Sequence, residues 1–176
     1  MTLTTRAFAG FVLIASAIVL GTALLSEYWG GLAPCELCLL QRWPWAAAIV
    51  ISMIVVLVGE RARLDWVALL LALVFAVSVV FAFYHVGVEQ HWFAGPTACT
   101  AGPGGAVTLE QMKQQILGTA PVLCDRPAWT LFGVSLAGWN LLASLVMTGC
   151  CVAALFYARG FWQHIRGERG IPRGAA

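Results

Sequence analysis

Charge is what this sequence has least of. Asp, Glu, Lys and Arg supply 10% of its 176 residues, where soluble domains carry about 25%. Hydrophobic residues supply 61%, and mean hydropathy is +0.86. That shortage excludes a water-soluble globular fold and a disordered chain. A net charge of +2 is too small for a polyanionic partner, so no nucleic acid is expected. Barrel-type alternation, internal repeats and low-complexity tails are also missing. What is left is an integral, all-α membrane protein.

Charge-free windows locate the spans. They run over residues 7–26, between Arg6 and Glu27; 43–59, between Arg42 and Glu60; 66–84, after Asp65; and 132–157, ahead of Arg159. Each is long enough, or nearly so, to cross a hydrocarbon core of about 30 Å as a helix. The second is short unless its helix starts upstream, between Pro34 and Arg42. The first exceeds the usual apolar core of a cleaved signal peptide, and its small-residue site at Leu32-Ala33 is followed by Pro34. Residues 1–176 therefore read as a single four-helix transmembrane domain, with loops over 27–42 and 85–127 on one side. Seven of the ten Lys and Arg residues fall on the side of the termini, which places the termini in the cytoplasm and both loops outside.

The second loop is long and rich in Gly and Pro, as functional loops often are. Within it Thr108-Leu109-Glu110-Gln111 resembles a capping box, with Leu109, Met112, Ile116 and Leu117 on one face of the helix it would start. That predicts a short amphipathic helix, either on the membrane surface or packed on the bundle end. Small residues at four-residue spacing, Ala68-Ala72-Ala76 and Ala17-Gly21, and the polar line Asn140-Ser144-Thr148 suit helix–helix contacts. Pro44 lacks an N–H for the Leu40 carbonyl, so the second helix kinks or starts there.

The six cysteines are the most informative residues. Cys35 and Cys38 form a C-x-x-C in the short loop, Cys99 and Cys124 lie in the long one, and Cys150 and Cys151 lie inside the fourth span. The four loop cysteines share the outer side, where disulfides persist if the membrane is a bacterial inner membrane. Two structural staples are one reading, but a C-x-x-C bridge closes almost no chain and restrains it little. A zinc site is another, although 24 residues separate Cys99 from Cys124 and a zinc knuckle keeps its second pair close. A c-type haem is excluded, because Leu39 stands where its His ligand would be. Redox work fits the local chemistry better. Pro34 suits a helix start, where the dipole favours a thiolate, and Arg42 lies one helical turn beyond Cys38. Arg42 also reads simply as a snorkelling anchor. Cys150 and Cys151 read as buried small hydrophobes.

An oxidised thiol pair has passed on two electrons. No C-x-x-C faces the cytoplasm and no haem or other metal motif is present, but the bilayer holds a two-electron acceptor, quinone. Arg42 and His85, with Trp43 and Trp45 as flat walls, are placed to line a quinone site near the outer interface.

These residues resemble the DsbB family of disulfide bond formation proteins. The stretch Pro34-Cys35-Glu36-Leu37-Cys38-Leu39-Leu40-Gln41-Arg42 matches the family's C-x-x-C followed by Arg; Cys99 and Cys124 match its second pair; His85 is placed like its quinone-proximal His. The resemblance covers nearly the whole chain. It implies redox disulfides Cys35–Cys38 and Cys99–Cys124, with all four cysteines catalytic, and Arg42 and His85 binding ubiquinone or menaquinone, with no metal. It implies that a DsbA-like, thioredoxin-fold periplasmic oxidase is the partner. That oxidase attacks Cys99, Cys124 exchanges with Cys35, and Cys38 passes electrons to the quinone pool of the inner membrane. A vitamin K epoxide reductase relative is disfavoured by cysteine order. A disulfide-stapled transporter or channel subunit is disfavoured because the spans hold no Asp, Glu, Lys or Arg.

Overall fold

The computed structural model describes residues 3–96, 109–117 and 122–168. Its helices are α1 (Thr5–Tyr28), α2 (Glu36–Leu40), α3 (Arg42–Val58), α4 (Leu64–Glu89), α5 (Leu109–Ile116) and α6 (Leu136–Glu168). Among the described residues, four stretches are long and apolar enough to cross a membrane: Thr5–Tyr28, Glu36–Arg61, Leu64–Glu89 and Leu136–Gly160. The most extensive backbone packing is α4 on α6 and α1 on α3, and α3 on α4 joins the two pairs.

Both ends of the bundle are tied by polar groups aimed at helix termini. At one end Thr4 Oγ1 accepts the Ala7 N–H, and the Glu60 carboxylate accepts the N–H groups of Thr5 and Arg6 at 3.0 and 3.1 Å. A carboxylate against orphan amides at a helix N-terminus is favourable both as hydrogen bond and as charge on a dipole. It fastens the start of α1 to the tight turn between α3 and α4. At the other end α4 stops in a left-handed cap. His91 takes φ 60°, and the Trp92 N–H returns to the Gly87 carbonyl at 2.8 Å.

The core runs along the axis through Phe8, Trp45, Leu71, Phe75, Met147 and Cys151. Trp45 meets Phe75 edge to face, with ring centroids 5.2 Å apart. The α4 stripe packs inward as its spacing predicts, with Ala68 and Ala72 buried. The α1 stripe does not. Ala17 is exposed, and α1 instead buries Thr5, Phe8, Ala9, Val12 and Ser16. Small residues permit a close approach from any face, so the bulky Phe8 and Val12 decide which face turns inward. The polar line on α6 is partly used across helices. Ser144 is fully buried and its Oγ lies 2.8 Å from Ser78 Oγ, whereas Thr148 bonds back to its own helix at the Ser144 carbonyl.

Three local features bear on the sequence expectations. The second span is broken at Gln41, which joins α2 to α3, and Pro44 sits in the first turn of α3. Pro44 has no N–H for the Leu40 carbonyl, so the hydrogen-bond ladder is interrupted at Gln41 and α3 starts with the proline in its first turn, as the sequence predicts. A two-residue hairpin, Thr130–Leu131 paired antiparallel with Val134–Ser135, leads into α6 through Phe132 and Gly133, both with positive φ. That is the backbone of a tight two-residue hairpin turn, and Phe132-Gly133 carries only half of its usual sequence signal. Finally, Leu109 and Met112 on α5 are exposed, as are Glu110 and Lys113, so these side chains do not pack on the bundle. The proposed cap, Thr108, lies outside the described residues.

Candidate active site

Cys35 is the N-cap of α2. Its backbone is extended, and its Sγ accepts the Cys38 N–H at 3.2 Å, the bond a Ser or Asp cap would make. Three residues on, the helix brings Cys38 Sγ to 2.7 Å from Cys35 Sγ. Cys35 is 4% exposed, enclosed with Leu37, Val88 and Cys124. The Cys38 thiol beside it, and then His85, hold the Cys35 thiol down at about 4, against burial, which pushes it up.

His85 and a run of amides lie behind this pair. His85 Nε2 stands 3.6 Å from Cys35 Sγ. On the far side of the ring Gln41 Nε2 donates to His85 Nδ1 at 2.5 Å. Gln41 Oε1 accepts from Asn140 Nδ2 at 2.5 Å, and Asn140 Oδ1 accepts from Trp45 Nε1 at 2.8 Å. One helical turn beyond His85, Glu89 Oε1 lies 3.9 Å from Nε2, while Glu89 Oε2 accepts from the Ser135 hydroxyl. Both His85 and Glu89 are buried.

Arg42 does not turn to Cys38. Its Nη1 donates to Glu27 Oε2 at 2.5 Å, in a pair whose side chains are 19% and 23% exposed. Gln41 between α2 and α3 keeps helical backbone angles, so Arg42 still lies about one turn beyond Cys38, but its guanidinium is claimed by the carboxylate of Glu27 at the end of α1. The two residues nevertheless meet at a cavity of about 350 Å³, whose polar walls include Cys38, Gln41, Arg42, His85 and Asn140, with Thr22 and Ser26 from α1. The remaining walls are mostly apolar and come from α1, the loop after it, Trp45 and the start of α6. Trp43, expected as a wall, is 71% exposed and lies outside it.

Cys124 is disulfide-bonded. Its expected partner, Cys99, lies outside the described residues. The sequence places Cys124 almost 90 residues from Cys35, but the two share one buried cluster. The sulfur and nitrogen atoms of Cys35, Cys38 and His85 lie within 4.8 Å of one another. Tetrahedral zinc takes four ligands, and the nearby fourth cysteine, Cys124, is held in its disulfide. Cys150 and Cys151 are on α6, with Cys151 fully buried in the axial core.

Sequence reasoning missed Glu27, Gln41 and Glu89 as parts of this site, and it read Asn140 only as a helix contact. Gln41 adjoins Arg42, and Asn140 opens the polar line on α6. Glu27 bounded the first apolar window and looked like an ordinary span end, whereas Glu89 fell in the stretch 85–127 read as loop, although α4 continues through it to Glu89.

Comparison with known proteins shows what the chain is similar to. Residues 5–154 match the family model "Disulfide bond formation protein DsbB". Proteins named Disulfide bond formation protein B are similar throughout. The one from Marinobacter nauticus is 29% identical, covering 91% of this chain and 98% of its own. That from Acinetobacter baumannii is 29% identical, covering 89% and 94%. That from Acinetobacter baylyi is 30% identical, covering 82% and 88%. No solved structure matches significantly. A dithiol capping a helix, a bonded cysteine packed against it and a family match along nearly the whole bundle lead to one conclusion: the chain belongs to the DsbB family, and is a multi-pass bacterial membrane oxidoreductase of disulfide bond formation.

Proposed function

We propose that this protein reoxidises a DsbA-like periplasmic thiol oxidase and passes the electron pair to a membrane quinone. The observation that carries this reading is the cluster in which the Cys35–Cys38 dithiol packs against bonded Cys124 on one side and opens on the cavity at Cys38 on the other. Thiols arriving from a partner and an acceptor in the bilayer would meet at the two ends of one short path.

The exchange balances as follows. The partner's dithiol reduces Cys99–Cys124 by way of a mixed disulfide at Cys99, and leaves as a disulfide. The Cys99 and Cys124 thiols then reduce Cys35–Cys38, re-forming their own bond. Cys124 attacks Cys35 and Cys38 departs; Cys99 then attacks Cys124 and Cys35 departs, a step its low pKa suits because a good leaving thiol has a low pKa. The Cys35 thiolate and the Cys38 thiol return to a disulfide by giving up two electrons and the one proton still on Cys38, the other having left when Cys35 ionised.

A quinone fits the cavity. The volume is within the roughly 300–1,000 Å³ of small-molecule sites, and few polar groups converge in a largely apolar wall. When bound, such a group would accept the electron pair together with two protons, one from Cys38 and one from water. Arg42, Gln41, His85 and Asn140 are the residues that would hold its polar edge, and α1 and α6 its apolar part. Arg42 would supply a fixed guanidinium donor where negative charge develops. The Lys/Arg bias supports cytoplasmic termini, with Cys35, Cys38, Cys99 and Cys124 on the periplasmic side of the inner membrane.

Separating the two cysteine pairs tests this division. Cys99→Ser should abolish attack by the reduced thiol oxidase yet leave Cys35–Cys38 able to be oxidised by added quinone. Cys38→Ser should stop quinone reduction. Quinone reduction at the normal rate by the Cys38→Ser protein would refute the scheme.

A further inference from the structure

We propose that Trp45, acting through Asn140 and Gln41, fixes His85 as the neutral Nε2–H tautomer, so that the imidazole serves the Cys35 sulfur as a hydrogen-bond donor and not as its base. The inference rests on the redox reading of the site for its purpose, but its geometry stands apart from quinone and partner. Trp45, Asn140 and Gln41 are thereby positioning residues, because none of them reaches the reacting sulfurs.

The direction of the chain follows from what each group is able to do. An indole N–H is a donor only. Trp45 Nε1 lies 2.8 Å from Asn140, so that atom of Asn140 is its carbonyl oxygen, and the amide nitrogen of Asn140 points the other way, to Gln41. A donor arriving from Asn140 fixes the facing atom of Gln41 as Oε1, which turns the Gln41 NH2 to His85 Nδ1. An NH2 group has no lone pair to offer, so Nδ1 must accept. In a neutral imidazole the proton is then on Nε2. That N–H faces Cys35 Sγ at 3.6 Å and the Glu89 carboxylate at 3.9 Å. The ionisable groups around the ring are Cys35, Cys38 and Glu89.

Protonating Nδ1 would set an N–H against an N–H. Relieving that conflict would require flipping Gln41, then Asn140, and finally opposing Asn140's NH2 to the indole N–H. Trp45 itself cannot reverse. It is 2% exposed and held edge to face against Phe75. A buried residue in the core thus dictates the protonation of a histidine two residues removed in the chain of contacts. The consequence is a ring that offers a permanent donor to the Cys35 thiolate.

The test reads the tautomer directly. The full chain, reduced and purified in detergent, is labelled with 15N-histidine; it has three histidines, and His85→Gln assigns the signal. Long-range 1H–15N correlation at neutral pH should show Nδ1 unprotonated and Nε2 protonated. Asn140→Asp keeps an acceptor for Trp45 but has no N–H for Gln41, so Gln41 turns over and His85 should switch to the Nδ1–H tautomer. The pH midpoint of Cys35 alkylation should then rise by about one unit, the tenfold change in ionisation that one hydrogen bond to a charged group contributes. Trp45→Phe removes the anchor and should give a mixture of tautomers, which provides a second reading if the aspartate variant does not fold. An imidazolium or Nδ1–H ring in the native chain, or an unchanged tautomer in Asn140→Asp, overturns the proposal. Loss of quinone reduction in a chain whose His85 is the Nε2–H tautomer would instead count against the functional reading alone.

Discussion

Replacing Arg42 should produce two separable defects, because its guanidinium has two partners to serve. Arg42→Ala strips Glu27 of its counter-ion. The pair is neither surface nor core, at 19% and 23% side-chain exposure. Exposed pairs contribute about 0–1 kcal/mol, and breaking a buried pair costs about 3–5 kcal/mol. An intermediate loss of about 1–3 kcal/mol in stability is therefore expected, read as a lower thermal midpoint in detergent. The second defect is catalytic. A donor aimed at developing charge in a water-poor site typically contributes about 3 kcal/mol, or roughly a hundredfold in rate, so quinone reduction should slow by about that factor. Arg42→Lys keeps the charge but not the planar fork of donors, and should be intermediate. The double variant Arg42→Ala, Glu27→Ala separates the two roles. It removes the orphaned carboxylate and should recover most of the thermal midpoint while turnover stays low. If the double variant regained normal quinone kinetics, Arg42 would be only the counter-ion of Glu27, and its place in the acceptor site would be wrong.

Alkylation of reduced Cys35 should be nearly independent of pH from neutrality down to about 5 and fall off as pH drops through about 4, since its low pKa keeps it ionised above that value; a midpoint near the ordinary thiol value, about 8.5, would remove the thiolate from the account. Ser144→Ala should lower stability by about 1–2 kcal/mol by leaving buried Ser78 Oγ without its partner, and Ser78→Ala, Ser144→Ala together should cost less than twice that; thermal or denaturant unfolding of the three variants checks it. The Cys150→Ala, Cys151→Ala protein should stay active, because Cys151 is packed in the axial core away from the Cys35 cluster. A folded but inactive double variant would show that these thiols take part.

The elements most legible in the sequence were those set by bulk solvent preference. Four apolar windows became four long helices, because a chain with so few charges has no other way to satisfy its backbone in a bilayer. The C-x-x-C was equally plain, since three residues of helix bring two side chains together wherever they occur. What escaped notice depended on long-range placement. Asn140 reaches Gln41 across 99 residues and Trp45 across 95, and periodicity carries no information about such pairs. The inferred Cys38–Arg42 contact failed because the guanidinium has a competing partner, the Glu27 carboxylate at the end of α1, which the Cys38 spacing could not reveal. Ala17 and Gly21 misled because small residues allow close packing without requiring it.

The account stands on electrons moving from a partner's thiols through Cys35 and Cys38 to a quinone, and stoichiometry tests that most directly. Purified protein is mixed with a reduced DsbA-like oxidase and excess ubiquinone in the absence of oxygen, and both products are counted. The account predicts one quinol for each disulfide formed in the oxidase, with the reaction abolished by Cys38→Ser. Disulfides formed in the oxidase without any quinol, or quinol formed at the normal rate by the Cys38→Ser protein, would contradict it.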